Sequence, residues 1–291
     1  MDALSELIRV AGLRASLDLR CRFAEGVAID HEQAPAREIV FHLVLQGGYA
    51  LDRPDAAPIE MHPGHFVALP ARTLHQVRSL DKTDAMRHPA LDLLCGRIAY
   101  QSSAIDPLFA SLPDVLSVSQ GDADSRAELH RIVTQIRAEV AGEQPGAAAI
   151  VAALCVALFA LALRVNSARN TTAPGMLRLI GDERLARAAR AILQEPGRDW
   201  TLAQLADQAT MSRPTFARRF RNVASMTPGD FLLRMRMWRA AELLESTRSV
   251  CSDIGATVGY RSEAAFVRAF KRVMGAPPAA YRRGLRTAHR R

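Results

Sequence analysis

The chain has 291 residues, of which 49% are hydrophobic and 23% charged, enough for about two domains with cores of their own. This composition excludes a collagen-like, a disordered and a disulfide-scaffold protein, and Cys21, Cys95, Cys155 and Cys251 stand too far apart for a CxxC zinc finger, a pattern that fits a reducing compartment. The net charge of +8 is divided unevenly, −4 over residues 1–172 and +12 over residues 173–291, which points the second part toward a polyanion. The opening MDALSELIRV carries acidic residues and no long apolar core, unlike a secretory signal. Residues 15–100 hold short apolar runs, such as Ile39–Leu45 and His65–Leu69. Turn signals separate them at Gly47-Gly48, Arg53-Pro54-Asp55 and His62-Pro63-Gly64, a pattern of many short strands in a barrel or sandwich.

Between 125 and 168 the period changes. Leu129, Ile132, Val133, Ile136 and Val140 recur at three and four, as on one face of a helix. Pro145 and Gly146 break the pattern, and an alanine-rich run follows. That run, Ala147–Leu163, has no charge and ends at Arg164. It falls short of the roughly 20 apolar residues of a membrane span, so it reads as a buried or interface helix. The two helices would pack on the barrel or against a second subunit. Residues 166–175, with Pro174 and several Ser and Thr, look like a linker.

From 182 onward the chain reads as short helices. Asp182–Leu193 has Leu185, Ala188, Ala189 and Ile192 on one face. Thr201-Leu-Ala-Gln204 is a capping box, Ser212 caps the next helix, and Thr227-Pro228 opens a long one. The most informative pattern is a repeat offset by 50 residues. Ser212, Phe216, Arg218, Phe220 and Val223 line up with Ser262, Phe266, Arg268, Phe270 and Val273, and Pro228 and Phe231 with Pro278 and Tyr281. The two phenylalanines and the valine fall at i, i+4, i+7 and form a buried stripe. Arg213, Pro214, Ala217, Arg218 and Arg221 then face outward on the first helix. Glu263, Ala264, Val267, Arg268 and Lys271 do so on the second. Each repeat has a shorter helix upstream, and the small residues Ala206 and Gly255 stand where two helices cross. Gly259 suits a left-handed helix end. Two capped, basic helices held by the spacer Pro228–Glu245 suit successive major grooves, whose centres lie about 34 Å apart.

Residues 182–283 resemble the DNA-binding module of the AraC/XylS regulators. The second half, from Ile254-Gly-Ala-Thr-Val-Gly-Tyr260 through Phe266 and Phe270 to Gly275-Ala-Pro-Pro278 and Arg282, matches that family's signature from end to end. Gly255 departs from the usual alanine and Met226 from the usual glycine. The resemblance implies base contacts chiefly from Arg213, Ala217 and Arg218, then Glu263, Ala264, Val267 and Arg268. Thr215, Arg221, Ser262 and Lys271 complete the candidate DNA-facing set. Pro214 stands where many members have a longer side chain.

The first part, with Phe41-His42 to Gly47 and Met61-His-Pro-Gly64 to His75, resembles the cupin barrel that precedes this module in one AraC subgroup. Leu94-Cys95-Gly96 and Leu112-Pro113-Asp114-Val115 fit that subgroup too. Metal cupins commonly carry His-x-His, but here His42 stands without its pair, which speaks against an enzyme. His42, His75 and Cys95 can meet inside the barrel, either as zinc ligands or as ordinary interior polar residues lining an effector pocket. The expected architecture is α+β and multidomain: a cupin-like β-barrel over 1–120, a helical hairpin for dimerisation over 121–170, a linker over 171–181, and an all-α double helix-turn-helix domain over 182–286. The expected partners are double-stranded DNA, a second copy of the chain, a small-molecule effector and, for an activator, RNA polymerase, all in the cytoplasm and away from membranes.

Overall fold

The computed structural model describes residues 2–23, 28–31, 34–35, 37–70, 74–80, 91–100, 106–142, 144–169 and 175–288. Contacts divide the chain into two units. One comprises 12–100 and 112–170. The other comprises 1–11, 101–111 and 171–291.

In the first unit the strand-forming runs build two antiparallel sheets. The larger has the order β1 (Arg14–Phe23), β8 (Leu91–Ala99), β3 (Glu38–Gln46), β6 (Phe66–Leu69), β9 (Leu116–Val118). The smaller has the order β2 (Ala28–His31), β7 (His75–Ser79), β4 (Tyr49–Arg53), β5 (Ala56–Met61). One apolar cluster takes Val44, Val67, Leu69, Leu93 and Cys95 from the larger sheet and Tyr49, Leu51, Met61 and Val77 from the smaller, so the two inner faces share a core. The expected small barrel or sandwich is thus present as a pair of facing sheets.

Strand β3 is buried on both faces from Phe41 to Leu45, which explains a run that is apolar but for His42. Alternation sends His42 and Val44 to the inter-sheet core and Phe41 and Leu43 to the opposite side. That side is covered by a helical hairpin, α3 (Arg126–Gly142) and α4 (Ala147–Arg169). Helix α4 packs on β1, β6, β9 and α3. Asn166 Nδ2 donates to the Ser117 carbonyl at 2.8 Å, and Arg137 donates to the Leu45 carbonyl. Gly96 is required where β8 passes β1 and Phe41. A Cβ there would lie 2.3 Å from the Ser16 carbonyl oxygen and 2.6 Å from the Phe41 ring.

The second unit is helical: α1 (Ala3–Ala11), α2 (Asp106–Phe109), α5 (Met176–Gly181), α6 (Glu183–Gln194), α7 (Leu202–Gln208), α8 (Arg213–Ala224), α9 (Pro228–Ser246), α10 (Cys251–Thr257), α11 (Glu263–Met274) and α12 (Pro278–Ala288). Its boundaries differ from those expected. Helix α1 buries Leu7, Val10 and Ala11 against α6 rather than joining the strands that follow it. The stretch expected as a linker contains α5, and 171–174 lie outside the described residues. Gly175 N–H bonds the Val223 carbonyl at 2.7 Å, which anchors the start of α5 against the end of α8. The local signal at 166–175 was one of turn-forming residues, and it carries no trace of the distant partner that orders the segment's end.

Candidate functional site

The repeat read in the sequence is a repeat in space. Thr201 closes a capping box with Gln204, and the Ser212 and Ser262 hydroxyls accept from the backbone amides three residues on. Phe216, Phe220 and Phe231 form a chain of T-shaped rings with centroids 5.6 and 5.8 Å apart. Phe266, Phe270 and Tyr281 repeat it at 5.7 and 5.5 Å. Such pairs contribute about 0.5–1.5 kcal/mol each beyond their burial. They fix the roll of α8 and α11, and hence which side chains face water. Both helices end in a left-handed residue, Ser225 in one and Gly275 in the other. The turns entering them do likewise at Thr210 and Gly259.

Fixed in this roll, Arg213, Thr215, Arg218, Arg221, Ser262, Glu263, Ala264, Arg268 and Lys271 are exposed, and Ala217 and Val267 half-buried. All of the expected DNA-facing residues therefore lie at the surface of their helices. Among the described residues, none of Arg213, Arg218, Arg221, Arg268 and Lys271 forms an ion pair. The neighbouring Arg219 behaves differently and pairs with Asp182, the N-cap of α6, at 2.7 Å. Arg218 and Arg221 also line a cleft with Asn222, Thr227, Pro228 and Gly229. The cleft joins two guanidinium groups, which suit an anion, to the start of the 19-residue helix α9, whose capping box already engages the Asp230 amide through the Thr227 hydroxyl. Reading α8 alone misses this second wall, although the Thr227-Pro228 cap signals it.

Helix α9 is more than a spacer. Buried Phe231, Met235, Trp238 and Leu244 form one stripe, and Met237 and Ala240 add a second, because α6, α8, α10, α11 and α12 all pack on it. Arg236 donates from Nε to the Pro196 carbonyl and from Nη2 to the Arg198 carbonyl, both at 2.9 Å. Its Cζ lies 5.8 Å from the Tyr260 ring centre. One side chain thus ties the turn before α7 to the turn after α10. The backbones of those turns nearly touch. A Cβ on Gly197 would meet the Thr257 carbonyl oxygen at 2.2 Å, and one on Gly259 would meet the Gly197 carbonyl oxygen at 2.5 Å. Gly255 lies similarly close to Phe266, 3.1 Å from a would-be Cβ, as the crossing of α10 and α11 requires.

The first unit holds a second polar constellation. His42 and Cys95 are cross-strand partners in the larger sheet, and His31 and His75 are partners in the smaller. His42 Nε2 lies 2.8 Å from His75 Nε2, and His42 Nδ1 lies 3.2 Å from Cys95 Sγ. The His31 and His75 rings stack at 4.7 Å. The structure thus brings together the expected trio of His42, His75 and Cys95 and adds His31, which lay in no recognisable motif. Burial, reinforced by His75, pushes the His31 pKa down to about 4. Burial, then His31 and His75, hold His42 well below its usual range. Both rings are neutral at pH 7, the form that offers a lone pair.

A two-sheet β domain followed by paired helix-turn-helix units defines a transcriptional regulator of the helix-turn-helix class. Comparison with known proteins agrees. Residues 2–168 match the cupin family and residues 205–284 match the helix-turn-helix domain family. An uncharacterised HTH-type transcriptional regulator of Haemophilus influenzae is 32% identical over 98% of this chain and 99% of its own. The RCS-specific HTH-type transcriptional activator RclR of Escherichia coli is 29% identical over 98% of this chain and 99% of its own. The AdpA DNA-binding domain, solved with a target DNA, is 32% identical over 36% of this chain and 94% of its own, with a TM-score of 0.34. The chain belongs to the AraC-type HTH transcriptional regulators that carry an N-terminal cupin domain, a family of regulators rather than enzymes.

Proposed function

We propose that this regulator binds duplex DNA by placing α8 and α11 in successive major grooves. The observation that carries this reading is the duplication itself. Two serine-capped helices each rest on a matching aromatic chain and together expose five basic side chains that form no ion pair among the described residues. Unpaired surface cations add affinity by releasing the counterions condensed on DNA. Arg213, Arg218 and Arg268 are the candidates for base edges, where a bidentate arginine–guanine contact discriminates by about 1–3 kcal/mol. Thr215, Ala217, Ser262, Glu263, Ala264 and Val267 complete the two reading faces. Arg221 and Lys271, with the cleft at the start of α9, suit phosphates.

The test selects bound duplexes from a random pool with the full-length protein and measures affinity against salt. A site with two half-sites one helical turn apart is expected. Arg268→Ala is expected to weaken that site more than random DNA. Absence of binding at low salt would overturn the reading, and an equal loss on all sequences would reduce Arg268 to a phosphate contact.

Helix α4 supports a homodimer. It is apolar all round, with a mean hydropathy of 2.5 over its most apolar stretch, and only 39% of that stretch is buried by its own chain. Ile150, Ala153, Leu154 and Ala157 lie one or two turns apart on the side left exposed or half-buried. A second copy would cover them. Sedimentation of Ile150→Asp against the parent tests this, with a monomer expected from the variant. The protein then acts in the cytoplasm, its cupin core binding a small molecule that shifts the population of DNA-binding arrangements. RNA polymerase is a further partner if it activates.

A further inference from the structure

We propose that His31, His42 and Cys95 form a transition-metal site across the two sheets of the cupin domain, zinc being the best fit, with His75 as the hydrogen-bond partner that orients His42. One ligand atom from each of the three lies within 4.8 Å of the other two. Tetrahedral zinc needs N···S and N···N separations of roughly 3.6 and 3.3 Å. His42 Nδ1 and Cys95 Sγ, at 3.2 Å, are already near this. The His31 ring meets the His42 ring edge-on with centroids 4.7 Å apart. The register explains the convergence, since His42 lies opposite Cys95 in one sheet and His31 opposite His75 in the other.

The donor chemistry selects the metal. Two imidazoles and a thiol with no carboxylate suit zinc and its neighbours and disfavour calcium or magnesium. His31 Nε2 is buried and has no hydrogen-bond partner among the described residues. A buried imidazole nitrogen costs stability unless its lone pair is engaged, and a metal cation engages it. If His42 ligates through Nδ1, its Nε2 carries the proton and donates to His75 Nε2 at 2.8 Å. A histidine ligand commonly has such a partner. On binding, the Cys95 thiol loses its proton to solvent and the sulfur lone pair forms the metal bond. Three protein ligands leave a fourth position for water or a small-molecule donor, as in open zinc sites. The metal would also clip the larger sheet, through His42 and Cys95, to the smaller, through His31.

The experiment uses the full chain, stripped with a chelator and titrated with cobalt(II). One equivalent per protomer is expected, with the visible bands of four-coordinate cobalt and a thiolate-to-cobalt charge-transfer band in the near ultraviolet. Cys95→Ser should remove the charge-transfer band, while Cys155→Ser and Cys251→Ser keep it. His31→Ala and His42→Ala should each abolish stoichiometric binding, with circular dichroism confirming that the sheets persist. His75→Gln should keep the charge-transfer band and weaken binding about 10- to 100-fold. A parent protein that binds no cobalt at micromolar concentration, or a spectrum unchanged in Cys95→Ser, overturns the site. Loss of the charge-transfer band in His75→Gln overturns the placement of His75 outside the ligand set.

Discussion

Arg236→Ala isolates the tie between the two helix-turn-helix units. The substitution removes two charged hydrogen bonds, to the Pro196 and Arg198 carbonyls, and a cation–π contact with Tyr260. Hydrogen bonds from charged groups contribute about 1.5–3 kcal/mol each. The bond to Arg198 is exposed, so the lower figure applies, giving about 3 kcal/mol for the pair. The aromatic contact adds about 0.5 kcal/mol at this exposure. With a urea slope of about 2 kcal/mol per molar, the unfolding midpoint should fall by about 1.8 M. The assay is direct because Trp200 and Trp238 are the only tryptophans and both lie in the helical unit. Arg236→Lys keeps the charge but not the planar fork, and should recover about half of the loss. Affinity for a two-half-site duplex should fall in Arg236→Ala while its salt dependence is unchanged, since Arg236 touches backbone carbonyls and not phosphate in this reading. A midpoint shift below about 0.3 M with unaltered DNA affinity would refute the tie, as would full rescue by lysine.

Three further outcomes are expected. Ser225 holds a left-handed conformation with φ of 57° at the end of α8, where the second repeat has Gly275 with φ of 80°. Ser225→Gly should therefore stabilise the helical unit by about 0.5–1 kcal/mol and Gly275→Ala destabilise it by about 1 kcal/mol, read from the same tryptophan transition. Gly96→Ala would drive a methyl group into the Ser16 carbonyl; it should destabilise the cupin domain by at least about 2 kcal/mol, seen as a lower first transition in calorimetry with the tryptophan transition unmoved. Arg218→Ala should weaken DNA binding by about 1–3 kcal/mol, whereas Arg219→Ala, one residue on and paired with Asp182, should change it little. Equal losses for the two variants in a gel-shift titration would show that α8 is rolled differently from its aromatic scaffold.

What was legible from the residues alone was the part written in short-range periodicity. Phe216, Phe220, Phe266 and Phe270 announce their helices and buried faces because helical spacing is a local rule. The capping residues Thr201, Ser212, Thr227 and Ser262 bond amides three positions away, so their roles could also be assigned in advance. The cupin resemblance allowed His42, His75 and Cys95 to meet in one interior, and they do meet there. Tertiary structure alone decided the rest. Arg236 looks like any surface arginine on a helix until Pro196 and Arg198 arrive from 38 to 40 residues away. His31 sits in a four-residue strand with no motif, and only pairing of β2 with β7 carries it to His75. Helix α1 is adjacent in sequence to β1 yet joins the C-terminal helices, because its apolar face of Leu7, Val10 and Ala11 fits α6. Spacing reveals which face a segment will bury. Which distant segment covers that face depends on register and packing, and these exist only once the whole chain has folded.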